Sequence, residues 1–355
     1  MSRTHLITGV GGQDGILLAR HLLASGDRVV GTVTTTSDPR LVVHLSGVAL
    51  EELDVRSTSA FATLVQRHRP DVVHNLAALS SVGASWDAPA LTDEVNHEAV
   101  LGMLSVIGSA GVGFVQASSS EIFGPVASGA VDSDTPLNPV SPYAEAKARA
   151  HVAVAGARAA GARATNLVLF GHTSPLHDAK FVLPTITRQA VEVASGRREA
   201  LELRDPSVTR DWGSAADFVR AFALAAAAAA SGDWVIATGR VHRLADVAEW
   251  ALAAAHADPS PVRGDPSPVR DDPQNSRRVD PNSRRVSGEP GVRASGEKAR
   301  RNDFGGVYGD PSRAAADLGW RPRITLRETI EQMVRADLAR LRTGVADSEA
   351  YLDPA

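Results

Sequence analysis

Three glycines spaced three residues apart, Gly9, Gly12 and Gly15, separate an apolar run at Arg3–Thr8 from a helical pattern at Ile16–Ala24. The segment reads Thr8-Gly-Val-Gly-Gly-Gln-Asp-Gly15. A first glycine lets the chain turn sharply off a strand, a second lets backbone approach a pyrophosphate, and a third lets the helix pack closely on the strand. The helix then offers N–H groups and the positive end of its dipole to an anion. A glycine turn alone is weak evidence. The strand before it and the helix after it make Gly9, Val10, Gly12, Gln13, Asp14 and Gly15 candidate ligands of a dinucleotide.

The rest of the first half repeats this rhythm. Strand-like runs at Arg28–Val33, Asp71–Leu76, Gly113–Ser118 and Ala164–Phe170 alternate with helical patterns at Ala99–Gly108 and Tyr143–Ala160. The runs are continuously β-branched, as in parallel strands covered on both faces. The expected architecture is α/β: a doubly wound parallel sheet of the Rossmann kind over residues 1–170, then a smaller α/β C-terminal substrate lobe over 171–345. The alanine-rich run Ala221–Ala230 reads as helix, too short and too weakly apolar to span a bilayer.

Residues 258–301 break the pattern. Asp-Pro-Ser-Pro-Val-Arg occurs at 258–263 and again at 265–270, and Asn-Ser-Arg-Arg-Val at 275–279 and again at 282–286. Such sequence buries too little apolar surface to offset the entropy of ordering, so a disordered surface insertion is expected. Its charges are mixed in sign, which favours that reading over an arginine-rich docking segment.

Of the 355 residues, 43% are hydrophobic, enough for a sizeable core, and the net charge of −4 gives no reason to expect nucleic acid or an anionic membrane as partner. The absence of cysteine excludes disulfides and thiolate metal sites. No secretory signal pattern precedes the first strand, and a cytoplasmic setting is expected. His5, His74 and His242 have no metal-ligand spacing and read as structural; no metal is expected.

Cofactor choice depends on the end of the second strand, where an acidic residue suits a ribose hydroxyl and an arginine suits a 2′-phosphate. Here it reads Thr34-Thr-Thr-Ser-Asp-Pro-Arg40, in which Ser37 and Arg40 could receive a phosphate and Asp38 a hydroxyl.

Two further motifs carry chemistry. Ala117-Ser-Ser-Ser-Glu-Ile-Phe-Gly124 follows one strand, and Ser141-Pro-Tyr-Ala-Glu-Ala-Lys147 opens a helix. Tyr143 and Lys147, four apart, share one helix face. A lysine ammonium beside a phenol stabilises phenolate, and phenolate can take a proton from a hydroxyl while hydride leaves its carbon. Ser119 can hold that same oxygen. Glu121 is a candidate for removing a proton α to a carbonyl, a step that a simple alcohol dehydrogenase does not need.

With these motifs the chain resembles the extended short-chain dehydrogenases/reductases, and within them the GDP-mannose 4,6-dehydratase family. The resemblance also rests on Asn75-Leu-Ala-Ala78, Arg210-Asp-Trp-Gly213 with Asp217, Val235-Ile-Ala-Thr-Gly239 and Leu318-Gly-Trp320. It implies that Tyr143 acts as base while NADP takes hydride from C4 of the hexose of GDP-mannose or a related nucleotide sugar. Glu121 would remove the C5 proton, water would leave C6, and hydride would return there, giving GDP-4-keto-6-deoxymannose without net cofactor use. It further implies that Asp54, Val55, Leu76, Ala77, Ala78, Ser80, His172 and His177 contact the cofactor, with Tyr143 and Lys147. Arg210 and Arg301 would bind the substrate, and a homodimer or homotetramer would form.

Ser119 stands where the family carries threonine. Thr34-Thr35 replaces an arginine pair, which leaves NAD beside NADP. Gly171 replaces a substrate-contacting asparagine and His177 an arginine. A 4-reductase or epimerase on the same scaffold, which would not need Glu121, is the alternative reading; a catalytically weakened relative is a third.

Overall fold

The computed structural model describes residues 2–126, 129–257, 291–294 and 306–352. The repeats at 258–290 and Arg301 lie outside these residues. The described chain divides into two compact units, 1–172 with 210–241 and 306–325, and 173–209 with 242–305 and 326–355. The first unit therefore takes in stretches that sequence order assigns to the C-terminal lobe.

A seven-stranded sheet forms the first unit. Its strands are β1 (Thr4–Thr8), β2 (Arg28–Val33), β3 (Ala49–Glu52), β4 (Val72–Asn75), β5 (Gly113–Ser119), β6 (Ala164–Leu169) and β7 (Asp233–Ile236). Their spatial order is β7-β6-β5-β4-β1-β2-β3, and every pairing is parallel. The winding runs outward from β1 to β3, then returns to β4 on the other side of β1. A cleft opens at such a reversal, at the C-terminal ends of β1 and β4, and the glycine turn emerges there.

Helices longer than ten residues are α1 (Gln13–Ala24), α2 (Thr58–His68), α3 (Ala99–Ala110), α4 (Pro142–Ala159), α5 (Val182–Ala194), α6 (Ala215–Ala227), α7 (Leu244–Ala257) and α8 (Leu326–Thr343). The alanine-rich run supplies the end of α6, which stops where Ala228 turns extended. The β4 and β5 strands are buried at every position, as their unbroken apolar runs require. Leu6, Val30, Phe61, Val73, Met103 and Phe114 pack in one core cluster. In the second unit α5, α7 and α8 pack on one another.

Two histidines lie inside the sheet. His5 Nδ1 is 2.9 Å from His74 Nε2, and the rings stack with centroids 5.1 Å apart. Burial pushes both below the ordinary imidazole pKa; Asp27, 3.3 Å from His5 Nε2, opposes this at His5 only. Since the folded protein holds them neutral and the unfolded chain does not, stability is present above pH ~6.5 and declines as pH falls below it. The unfolding free energy should fall between pH 7 and 5, at up to about 1.4 kcal/mol per pH unit for each histidine held neutral. His74→Gln should flatten that slope in urea titrations.

Candidate active site

The glycine turn is shaped by contacts that only glycine allows. Gly9 has φ +69°, and a Cβ there would lie 2.9 Å from the backbone of Ala77. At Gly15 a Cβ would come within 2.5 Å of Val10 Cα. Val10 N donates to Thr32 O at 3.0 Å and Gly12 N to Gly9 O at 3.1 Å, closing the turn against β2. No side chain caps α1 at Gly12, so the helix start is left to backbone groups. This cradle fits a dinucleotide pyrophosphate.

The loop after β4 closes one wall. Ala77 N donates to Thr8 Oγ1 at 3.3 Å and Leu76 N to Thr8 O at 3.3 Å, so Leu76, Ala77 and Ala78 run alongside the turn, with exposed Ser80 following. A buried polar chain crosses beneath. Thr8 Oγ1 donates to Asn75 Oδ1 at 2.6 Å, Asn75 Nδ2 to Gln116 Oε1 at 2.8 Å, and Gln116 Nε2 to Ala117 O at 3.0 Å. Lys147 Nζ reaches the same Ala117 carbonyl at 2.9 Å.

The four candidate catalytic side chains converge. β5 ends at Ser119 at the sheet's C-terminal edge, and the next turn, Ser120–Phe123, brings Glu121 N to Ser119 Oγ at 3.3 Å. α4 starts with Ser141 capping Ala144 N at 3.1 Å and Pro142 in its first turn, a strong helix start. Tyr143 N is fixed by Ser85 Oγ at 3.2 Å. The Tyr143 phenol is hydrogen-bonded with Ser119, and Glu121 is near enough to act on it electrostatically. Lys147 Nζ lies 5.9 Å from the Tyr143 ring centroid.

Burial pushes the Tyr143 phenol up to about 12; the Ser119 bond pulls it down, and the Glu121 and Asp14 carboxylates push it further up. Burial draws Lys147 itself down to about 8, and its Nζ donates to the Ala117 carbonyl.

Asp14 and His172 meet at the turn. His172 Nε2 is 2.8 Å from Asp14 Oδ2, its Nδ1 is 2.7 Å from Phe170 O, and its ring stacks on Phe218 at 4.6 Å. Gln13 Nε2 donates to Asp14 Oδ1 at 3.1 Å.

The remaining expected residues are more scattered. Asp54 follows β3, exposed, its carboxylate forked by Arg56, which lowers its pKa; Val55 packs on the core. Arg210 is half-buried in the strand Thr209–Ser214. His177 belongs to the second unit, with Nδ1 2.9 Å from Thr173 Oγ1 and its ring on Phe181 at 4.4 Å. Gly171 has a local reason: a Cβ would lie 2.5 Å from Trp212 Cδ1, so Trp212 takes the space of a side chain there.

Sequence reasoning missed Ser85, Asn96, Gln116 and Asp211. Asn96 clamps the loop after β4, accepting from Leu79 N at 2.9 Å and donating to Leu79 O at 3.0 Å. Asp211 accepts from the backbone N–H groups of Thr238, Gly239 and Gly309. None sits in a spacing that betrays its long-range partner.

A dinucleotide cradle beside a Ser-Tyr-Lys cluster on a doubly wound sheet defines an extended short-chain dehydrogenase/reductase. The GDP-mannose 4,6 dehydratase family model matches residues 6–333. The chain belongs to that family. It is 32% identical over 353 residues to a GDP-mannose 4,6-dehydratase of Vibrio cholerae, covering 95% of this chain and 94% of that one. It is 30% identical over 359 residues to the GDP-mannose 4,6-dehydratase sdnI of Sordaria araneosa, covering 99% of this chain and 64% of that longer relative. Among solved structures, UDP-glucose 4-epimerase of Thermotoga maritima with UDP-glucose superposes with TM-score 0.77 at 21% identity, covering 95% of this chain and 98% of that one. The Thermus thermophilus UDP-glucose 4-epimerase complex with NAD gives 0.75 at 25% identity, covering 96% and 100%.

Proposed function

We propose that the chain is a cytoplasmic, NADP-dependent hydro-lyase that converts GDP-mannose to GDP-4-keto-6-deoxymannose. The observation that carries this is the convergence of Ser119, Glu121 and Tyr143, with Lys147, beside the glycine turn. When bound, the dinucleotide accepts hydride from C4 of the hexose and returns it to C6. Tyr143 takes the C4 hydroxyl proton, with Ser119 holding that oxygen by hydrogen bond. The new C4 ketone acidifies C5; Glu121 removes the C5 proton and passes it to the C6 hydroxyl, which leaves as water. C5 takes a proton from solvent as hydride adds at C6, while Tyr143 gives up the C4 hydroxyl proton to solvent. Lys147, fixed to the Ala117 carbonyl, orients the dinucleotide ribose beside Tyr143. Arg210 receives the nucleotide diphosphate, for which a guanidinium fork is suited. The working assembly is a homodimer or homotetramer, which light scattering can distinguish from a monomer.

The test is direct. Purified protein incubated with GDP-mannose and catalytic NADP should yield a product lighter by one water. Unchanged substrate would remove the proposal; net consumption of NADPH would identify the 4-reductase instead.

The 2′ end of the adenosine site fits NADP less tightly than an arginine pair would. Thr34 and Thr35 are exposed and uncharged, and Arg40 is forked onto Asp38 at 2.7 and 3.0 Å. Thr36 binds Glu52 through N and Oγ1, both at 2.9 Å, which holds a carboxylate close by. Thr34→Arg with Thr35→Arg should tighten NADP about tenfold or more relative to NAD, measured by fluorescence titration.

A further inference from the structure

A carboxylate at the start of α1 is unexpected beside a pyrophosphate cradle, since it repels the anion that the helix end attracts. Asp14 occupies that place, and its partner is unusual. Nδ1 of His172 faces the Phe170 carbonyl and Nε2 faces the Asp14 carboxylate. Both are acceptors, and a neutral imidazole carries only one N–H. Satisfying both bonds requires the doubly protonated ring. The stacked Phe218 ring offers a π face to that cation.

We propose that His172 works as an imidazolium that cancels the Asp14 charge at the dinucleotide cradle and beside Tyr143, and that loss of its proton is the alkaline limit of the enzyme. The second half of this rests on the reading of Tyr143 as base. From α1 the ring faces Asp14, from its own segment the Phe170 carbonyl, and from α6 the uncharged Phe218. Burial pushes the imidazole pKa down, but the Asp14 carboxylate and the Phe170 carbonyl outweigh it, so the net shift is upward. Around Tyr143 stand Ser119, Glu121, Asp14 and Lys147. With His172 charged, the pair is neutral overall. Once His172 loses its proton, the Asp14 charge is no longer cancelled beside the phosphates and the phenol. The dinucleotide is then held more weakly, and the phenol, already raised, becomes harder to ionise.

The test uses the full chain and needs no turnover. Among the 11 histidines, the His172 imidazole can be assigned in NMR spectra by its loss in His172→Gln. Its titration midpoint should lie above pH ~6.5 and drop by about one pH unit or more in Asp14→Asn. NAD and NADP affinity, followed by fluorescence, should weaken about tenfold as pH rises through that midpoint. In His172→Gln affinity should be lower and flat with pH, and His172→Lys should restore it.

An imidazole that is neutral at pH 6 in the wild-type protein, or equal pH dependence of binding in wild type and His172→Gln, would overturn the proposal. Asp14→Asn changes one atom and keeps the shape, so it reports even if His172→Gln fails to fold. A protein that shows these titrations yet leaves GDP-mannose unchanged would sink the dehydratase reading and keep the charge couple.

Discussion

Glu121→Gln is expected to bind dinucleotide as the wild-type protein does and to dehydrate GDP-mannose about a thousandfold more slowly. The reason is the division of labour among the converging groups. Tyr143 and Ser119 act at the C4 oxygen, whereas removal of the C5 proton needs a base that glutamine cannot supply. The substitution keeps side-chain length and leaves the Glu121 backbone N–H bonded to Ser119 Oγ. It also removes one of the two carboxylates that push the Tyr143 phenol up, so the first hydride step should not be impaired. In a single turnover the variant should still reduce its dinucleotide and should fail to exchange C5 hydrogen with deuterated solvent. Wild-type turnover by Glu121→Gln would take the carboxylate out of the mechanism. Tyr143→Phe should differ by losing dinucleotide reduction as well.

The second large effect concerns stability. Asp211, 2% exposed, gathers four hydrogen bonds from Thr238 N, Thr238 Oγ1, Gly239 N and Gly309 N. It ties the segment after β7 to the chain at Gly309, within the unit that carries the glycine turn. Burial pushes its carboxyl above the usual range against those four bonds. Asp211→Ala would leave three backbone N–H groups without that acceptor in a buried site. Each such loss costs about 1–3 kcal/mol, so a decrease of about 4 kcal/mol in unfolding free energy is expected. Urea denaturation followed by circular dichroism measures it; a change under about 1 kcal/mol would mean that water replaces the carboxylate. Asp211→Asn should fall between, since its amide keeps one acceptor oxygen.

The first unit was largely readable because its signals are local. Five of the seven parallel strands, β1, β2, β4, β5 and β6, coincide with the strand-like runs at Arg3–Thr8, Arg28–Val33, Asp71–Leu76, Gly113–Ser118 and Ala164–Phe170. β3 (Ala49–Glu52) was missed because Ala-Leu-Glu-Glu carries almost no strand pattern. Helices α2, α5 and α7 escaped for a related reason: their apolar residues mix with alanine and polar groups, and packing rather than periodicity selects them. The candidate site was readable as Tyr143 with Lys147 and as Ser119 with Glu121. Its electrostatics were not. Burial, a tertiary quantity, pushes the phenol up, and no spacing in the sequence carries it.

What the sequence determined by itself is backbone and helix-face geometry: where the chain must turn without a Cβ, where α4 starts, and which two side chains share its face. Those follow from φ, ψ and a 3.6-residue period, which neighbouring residues dictate. Only the tertiary structure decided that His172 would meet Asp14 from 158 residues away. The same holds for Trp212, which fills the place of a side chain at Gly171, and for Asp211, which bonds both Gly239 and Gly309. Such pairings depend on how separate elements stack in space, and no local preference encodes a partner that distant.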